Sequence, residues 1–124
     1  MTITIDSTPY DIPIISISRT AEFLDKYAER TEDGILHREL IGVYFNYKIV
    51  FGQTADTAEY AALWQKLTEA TEFHEVSVPA DESGVFTFQA YFANVGDEIR
   101  RTTNAANFWR NLTVNFIAQS PTNA

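Results

Sequence analysis

Residues 36–51 read LHRELIGVYFNYKIVF, and their side chains alternate in kind for most of that length. Val43, Phe45, Tyr47, Ile49 and Phe51 fall on one face; Tyr44, Asn46, Lys48 and Val50 fall on the other. A period of two belongs to a long β-strand with one face in a core. Tyrosines on both faces cannot all enter one core, so either the sheet is covered on both sides or a second subunit covers one of them.

Upstream, Ile15 and Ile17 alternate with serines, while Ala21–Arg30 also has helix-forming composition. Both strand and helix fit residues 20–30. The Asp33-Gly34 pair before the strongest strand favours the strand, because Asp-Gly between two strand-like runs is a short-range hairpin signal. Each arm of the resulting hairpin, over residues 14–51, has about 14 residues and at about 3.3 Å per residue spans roughly 45 Å. A compact domain of this length has a radius of gyration of about 14 Å. The hairpin must therefore curl around a barrel or project from the body. Polar crowding at Glu29, Arg30, Thr31, Glu32 and Asp33 suits projection into water or onto a partner.

The remaining segments complete a mainly β, α+β pattern. Thr2–Asp6 alternates as a short strand, and Pro9 and Pro13 mark a connecting segment. Asp56 and Glu59 have capping-box spacing, and Tyr60, Leu63, Trp64 and Leu67 recur at helical intervals, predicting one amphipathic helix over about 56–70. Phe73–Val78, a Pro79–Gly84 loop and Val85–Phe92 form a second β block. Asn94-Val-Gly96-Asp97 looks like a turn into another short strand, Thr102–Asn107 like a loop, and Leu112–Ala118 like the last strand. The order βββ-α-ββββ, with short connections, predicts an antiparallel β-sandwich or barrel with one helix against it. The 124 residues form one domain, with residues 1–13 as an N-terminal arm or edge strand and 120–124 as a short polar tail.

Composition narrows the function classes. Hydrophobic residues at 45% supply a real core, and the lack of cysteine excludes disulfides, thiolate catalysis and thiolate metal sites. A net charge of −8, with Arg100-Arg101 the only basic pair, argues against a phosphate-binding surface and sequence-specific nucleic-acid binding. The first six residues lack a basic region and a continuous apolar run, and no apolar stretch reaches membrane-spanning length, so the expected setting is the cytosol with no membrane partner.

Candidate chemistry is sparse. His37 and His74 have no second ligand at a recognised spacing, so both are read as structural, with no metal or cofactor and no catalytic residue expected. A carboxylate pair facing across a cleft would make a hydrolase, though nothing in the spacing marks one. No phosphate-cradling glycine loop or nucleophile-elbow motif occurs, and the Asn111-Leu-Thr113 sequon lies in a predicted strand. The aromatics have two readings. Trp64 on the apolar helix face is placed in the core; Phe108-Trp109 divide between core edge and interface. Tyr44, Tyr91, Phe108 and Trp109 would serve a carbohydrate-binding module if they were exposed.

Three segments carry a resemblance. Asp33-Gly-Ile-Leu-His-Arg-Glu-Leu-Ile-Gly-Val-Tyr-Phe-Asn-Tyr47, Tyr60-Ala-Ala-Leu-Trp-Gln-Lys-Leu67 and Phe108-Trp-Arg-Asn-Leu-Thr-Val-Asn-Phe-Ile-Ala-Gln-Ser-Pro121 resemble, in order, segments of small structural proteins of tailed phages and prophages. The resemblance covers roughly residues 16–121, and its motifs are packing and turn residues. It implies a tail-tube-like fold and a non-enzymatic tail-tube, distal-tail or tail-associated protein that assembles as rings with itself and with other tail proteins. It also implies a location in the virion tail after synthesis in the bacterial cytoplasm. The overlong hairpin would then reach a neighbouring subunit, and negative charge lining a lumen would keep DNA from sticking. The candidate interface comprises Glu29, Arg30, Glu32, Asp33, Tyr44, Tyr47, Phe108 and Trp109.

Overall fold

The structure, a computed structural model, describes residues 3–80 and 83–122; Thr2 of the expected first strand, the centre of the Pro79–Gly84 loop and the end of the tail lie outside them. The elements are β1 (Ile3–Ile5), β2 (Thr8–Tyr10), β3 (Ile14–Arg30), β4 (Leu36–Phe51), α1 (Thr57–Leu67), β5 (His74–Pro79), β6 (Val85–Thr102) and β7 (Asn107–Ala118). The chain is mainly β, with one antiparallel seven-stranded sheet in the order β2-β1-β5-β6-β7-β4-β3.

That order has a geometric consequence. β2 and β3 lie on opposite edges of the sheet, yet only residues 11–13 separate them. Six inter-strand steps of about 4.8 Å would hold the edges roughly 29 Å apart in a flat sheet. Four residues from Tyr10 to Ile14 reach at most about 14 Å. The sheet must therefore roll until its edges approach, in the manner of a sandwich or open barrel. At the start of β3, the Gly52 amide extends the β3–β4 ladder by donating to the Pro13 carbonyl at 2.6 Å.

The inner face follows the period of two from strand to strand. Tyr47 and Ile49 of β4 stand opposite Phe116 and Val114 of β7, Phe116 opposite Phe92 of β6, and Val76 of β5 opposite Phe88 and Ile5. Ile3, Ile5, Tyr10, Ile12, Phe51, Val78 and Leu112 join this core, and α1 adds Tyr60, Leu63 and Leu67. Asp56 caps the helix by accepting from the Glu59 amide at 3.0 Å. Glu59 does not return the bond within a capping box; its carboxylate accepts from the Asp11 amide at 2.6 Å and ties α1 to the segment leaving β2. The helix ends at Leu67, short of residue 70, with Thr68 as its C-cap, whose hydroxyl donates to the Trp64 carbonyl at 2.8 Å.

Residues 20–30 are strand throughout, as the hairpin reading expected, paired with β4 from Ala21↔Phe45 to Arg30↔Leu36. Other local expectations change. Pro9 lies within β2, where a residue without an amide proton is tolerated because β2 is an edge strand. The Asn94–Asp97 turn is instead a bulged stretch inside a continuous β6. Asn94 takes a φ of 55°, and the register with β7 slips between Ala93 and Gly96 and again before Glu98. An Asn tolerates that conformation, and the unpaired residues bend the strand without ending it. The element order is thus ββββ-α-βββ.

Candidate functional site: two projecting hairpins and the cleft beside α1

β4 pairs with β7 only from Tyr47 to Val50, although β3 accompanies it along nearly its full length. Residues 21–30 and 36–45 therefore form a two-stranded arm beyond the rolled body. Ten residues at about 3.3 Å each give it a reach of roughly 33 Å. No residue between 18 and 44 belongs to the core cluster. Instead Phe23, Leu24, Tyr27, Ile35, Leu36, Leu40 and Ile41 are exposed along the arm. Its faces carry ordered contacts of their own: Arg38 pairs with Asp25 and also lies 5.2 Å from the centre of the Phe23 ring.

The tip is a built turn. Gly34, at a φ of 85°, donates to the Thr31 carbonyl at 2.9 Å, and Asp33 accepts from both the Thr31 hydroxyl and the Ile35 amide. Those bonds hold the Asp33 carboxyl below its ordinary pKa, the Thr31 hydroxyl contributing most. Arg30 donates to the Gly34 carbonyl. Two of the four tip candidates, Arg30 and Asp33, are thus spent on the turn. Among the described residues no ion pair involves Glu29 or Glu32.

The second hairpin is the distal part of β6 and β7. β5 accompanies β6 only to Ala90, and β4 accompanies β7 only from Thr113, so residues 97–111 stand clear of the sheet. Thr103 builds the turn by accepting from the amides of Ala105 and Ala106. The β6 bulge aims this hairpin along α1, and the Tyr60 hydroxyl donates to Asp97 at 2.8 Å. Burial, then the Asp97 hydrogen bond and charge, push the Tyr60 phenol well above the ordinary tyrosine range. Between helix and hairpin lies a cleft of about 500 Å³, lined by Trp64, Ala105, Ala106, Phe108 and Trp109 with Thr57 and Gln65 at its side. Arg100 and Arg101 sit 5.4 and 4.7 Å from the centre of the Phe108 ring.

The candidate interface residues therefore separate. Glu29 and Glu32 project from the arm tip, and Tyr44 is half-buried on β4 opposite Glu22. Phe108 and the exposed Trp109 meet in the α1 cleft. Tyr47 leaves the set: it is 3% exposed and packs against Phe86 and Phe88, because its alternation places it on the inner face. Trp64, assigned to the core, is half-buried against it and turns its other side to the cleft.

Sequence spacing did not reveal a cluster at the body's edge. His74 is buried, stacks flat on Phe92 at 4.7 Å and shares a 2.6 Å hydrogen bond with Asp6. Ligand atoms of Asp6, Glu69 and His74 all lie within 4.8 Å of one another. Lys66 already supplies the counter-charge, 3.6 Å from Asp6 and 3.1 Å from Glu69. Burial raises the Asp6 pKa, but the His74 hydrogen bond, the Glu75 amide and the nearby charges outweigh it and hold the carboxyl below its usual value. Residues 6, 69 and 74 meet only through the β1–β5 pairing and the end of α1, so no short motif announces them. His37, in contrast, is exposed on the arm opposite Glu29.

Compared with known proteins, the chain matches no family model, no curated protein and no solved structure.

Proposed function

We propose that this chain is a non-catalytic structural subunit that works by self-assembly, as a ring-forming tube, distal-tail or tail-associated component of a phage or prophage tail. The observation that carries the self-assembly reading is the arm. A two-stranded hairpin is marginal in water without a third strand or a packing surface. This one presents an unpaired β3 edge and seven large apolar side chains to solvent. Long, apolar, unpaired edges are sites where another chain adds. A second copy is the partner always present at equal concentration.

The tail assignment rests on the three-segment resemblance, and the residues that carry it support one another in the fold. Asn46 accepts from the Ala118 amide at 3.0 Å, Tyr47 stands opposite Phe116, and Tyr60, Leu63 and Leu67 lie in the same core. The test is analytical ultracentrifugation and electron microscopy of the purified chain, alone and with tail extracts. Closed rings or incorporation into tails are expected. A strict monomer that joins no tail complex refutes the proposal.

A carbohydrate-binding reading draws on one observation, that Trp64 and Trp109 line a common cleft. Phe108 does not help it, since Arg100 and Arg101 already approach that ring. Glycan binding lost on Trp109→Ala would establish this reading in place of the first.

A further inference from the structure

Charge is distributed unevenly along the chain. All seventeen carboxylate side chains lie within residues 1–98, whereas residues 99–124 hold Arg100, Arg101 and Arg110 and no acid. The distal β6–β7 hairpin is therefore the basic feature of an acidic molecule. Arg110 is paired with Glu98 at 2.8 Å. Among the described residues no carboxylate pairs with Arg100 or Arg101, whose guanidinium groups lie over Phe108, itself a lining residue of the α1 cleft. The opposite feature is the arm tip, where, among the described residues, Glu29 and Glu32 have no ion-pair partner and lie beside exposed Ile35 and Leu36.

We propose that the arm tip of one copy seats in the α1 cleft of the next. Glu29 and Glu32 meet Arg100 and Arg101, and Ile35 and Leu36 pack on Trp64 and Trp109. The inference rests on the self-assembly reading and names the surface that receives the arm. Two acidic tips brought together repel, so an arm-to-arm contact is disfavoured; the basic hairpin offers both opposite charge and apolar cover. Tip and cleft are different surfaces, so the contact is heterologous and generates a ring when the rotation closes. The guanidinium groups stay on the Phe108 face while their edges receive the carboxylates, as planar Arg side chains allow.

Charge reversal tests the pairing. Glu29→Arg/Glu32→Arg and Arg100→Glu/Arg101→Glu each place like charges at the contact, and each alone should raise the concentration for half-assembly by about tenfold or more. An equimolar mixture should assemble near the wild-type concentration, because every tip then finds a cleft of opposite sign. Recovery in the mixture also shows that both variants fold. Because the chain has no cysteine, Glu32→Cys mixed with Ala105→Cys gives an independent readout, with a disulfide-linked heterodimer expected under mild oxidation. If wild type assembles but the reversals have no effect, or the mixture stays dispersed and no cross-link forms, this docking is wrong and self-assembly stands. If wild type never assembles, both fall.

Discussion

Excising residues 22–44 and joining Ala21 to Phe45 through Asn-Gly separates what the arm does for folding from what it does for assembly. Ala21 and Phe45 are cross-strand partners, so a two-residue turn spans them. The excised residues include none of the core. The deletion removes the bond from the Thr122 amide to the Val43 carbonyl and the one from Asn46 to Glu22, costing about 0.5–1.5 kcal/mol each. Against this, shortening the connection by three to four doublings recovers about 2 kcal/mol of closure entropy. The two effects nearly cancel, and the body's stability should change by no more than about 1 kcal/mol. For a domain of this size that is a shift in melting temperature of under about 8 °C. Calorimetry measures the first quantity and sedimentation velocity the second, in which assembly should vanish. A melting temperature lowered by more than about 10 °C would show that the arm supports the core, contrary to its exposure. Undiminished assembly would refute the arm's role.

Three further outcomes follow from particular contacts. Phe116→Ala opens a void in the centre of the sheet beside Phe92 and should cost about 3–5 kcal/mol in urea unfolding, whereas Ile15→Ala, 64% exposed, should stay within about 0.5 kcal/mol. Tyr60→Phe deprives Asp97 of its hydroxyl donor and should cost about 1–3 kcal/mol. Because the folded state raises the Tyr60 pKa, its contribution is complete below about pH 10 and is lost as pH rises further, so alkaline unfolding should be steeper in wild type than in Tyr60→Phe. Asp6 has the opposite sign. Its folded pKa lies below 3.8, so its stabilisation is present above about pH 4 and lost as pH falls through the folded value. In acid titration followed by circular dichroism, Asp6→Asn should flatten that loss.

Local order was readable where a short-range rule governs it. Alternation placed Val43, Phe45, Tyr47, Ile49 and Phe51 on the inner face of β4, and the spacing of Tyr60, Leu63 and Leu67 marked the buried side of α1. The length of the hairpin, and hence the existence of an arm, followed from the same pattern and from Asp33-Gly34. Asn94–Asp97 is a bulge and not the expected turn, because Asn and Gly mark either feature and only pairing with β7 decides which.

What residues alone determined is the long hairpin, the single helix and the acidic arm tip, since each depends on neighbours a few positions away. Tertiary structure decided the rest: that residues 11–13 draw opposite edges together and roll the sheet, and that Phe108 and Trp109 of β7 line one cleft with Trp64 of α1. Strand order joins residues as distant in sequence as Thr4 and Ser77, and Asp6 meets His74 across 68 positions. Periodicity records which way a side chain points from its own strand; it carries no information about which strand lies beside it.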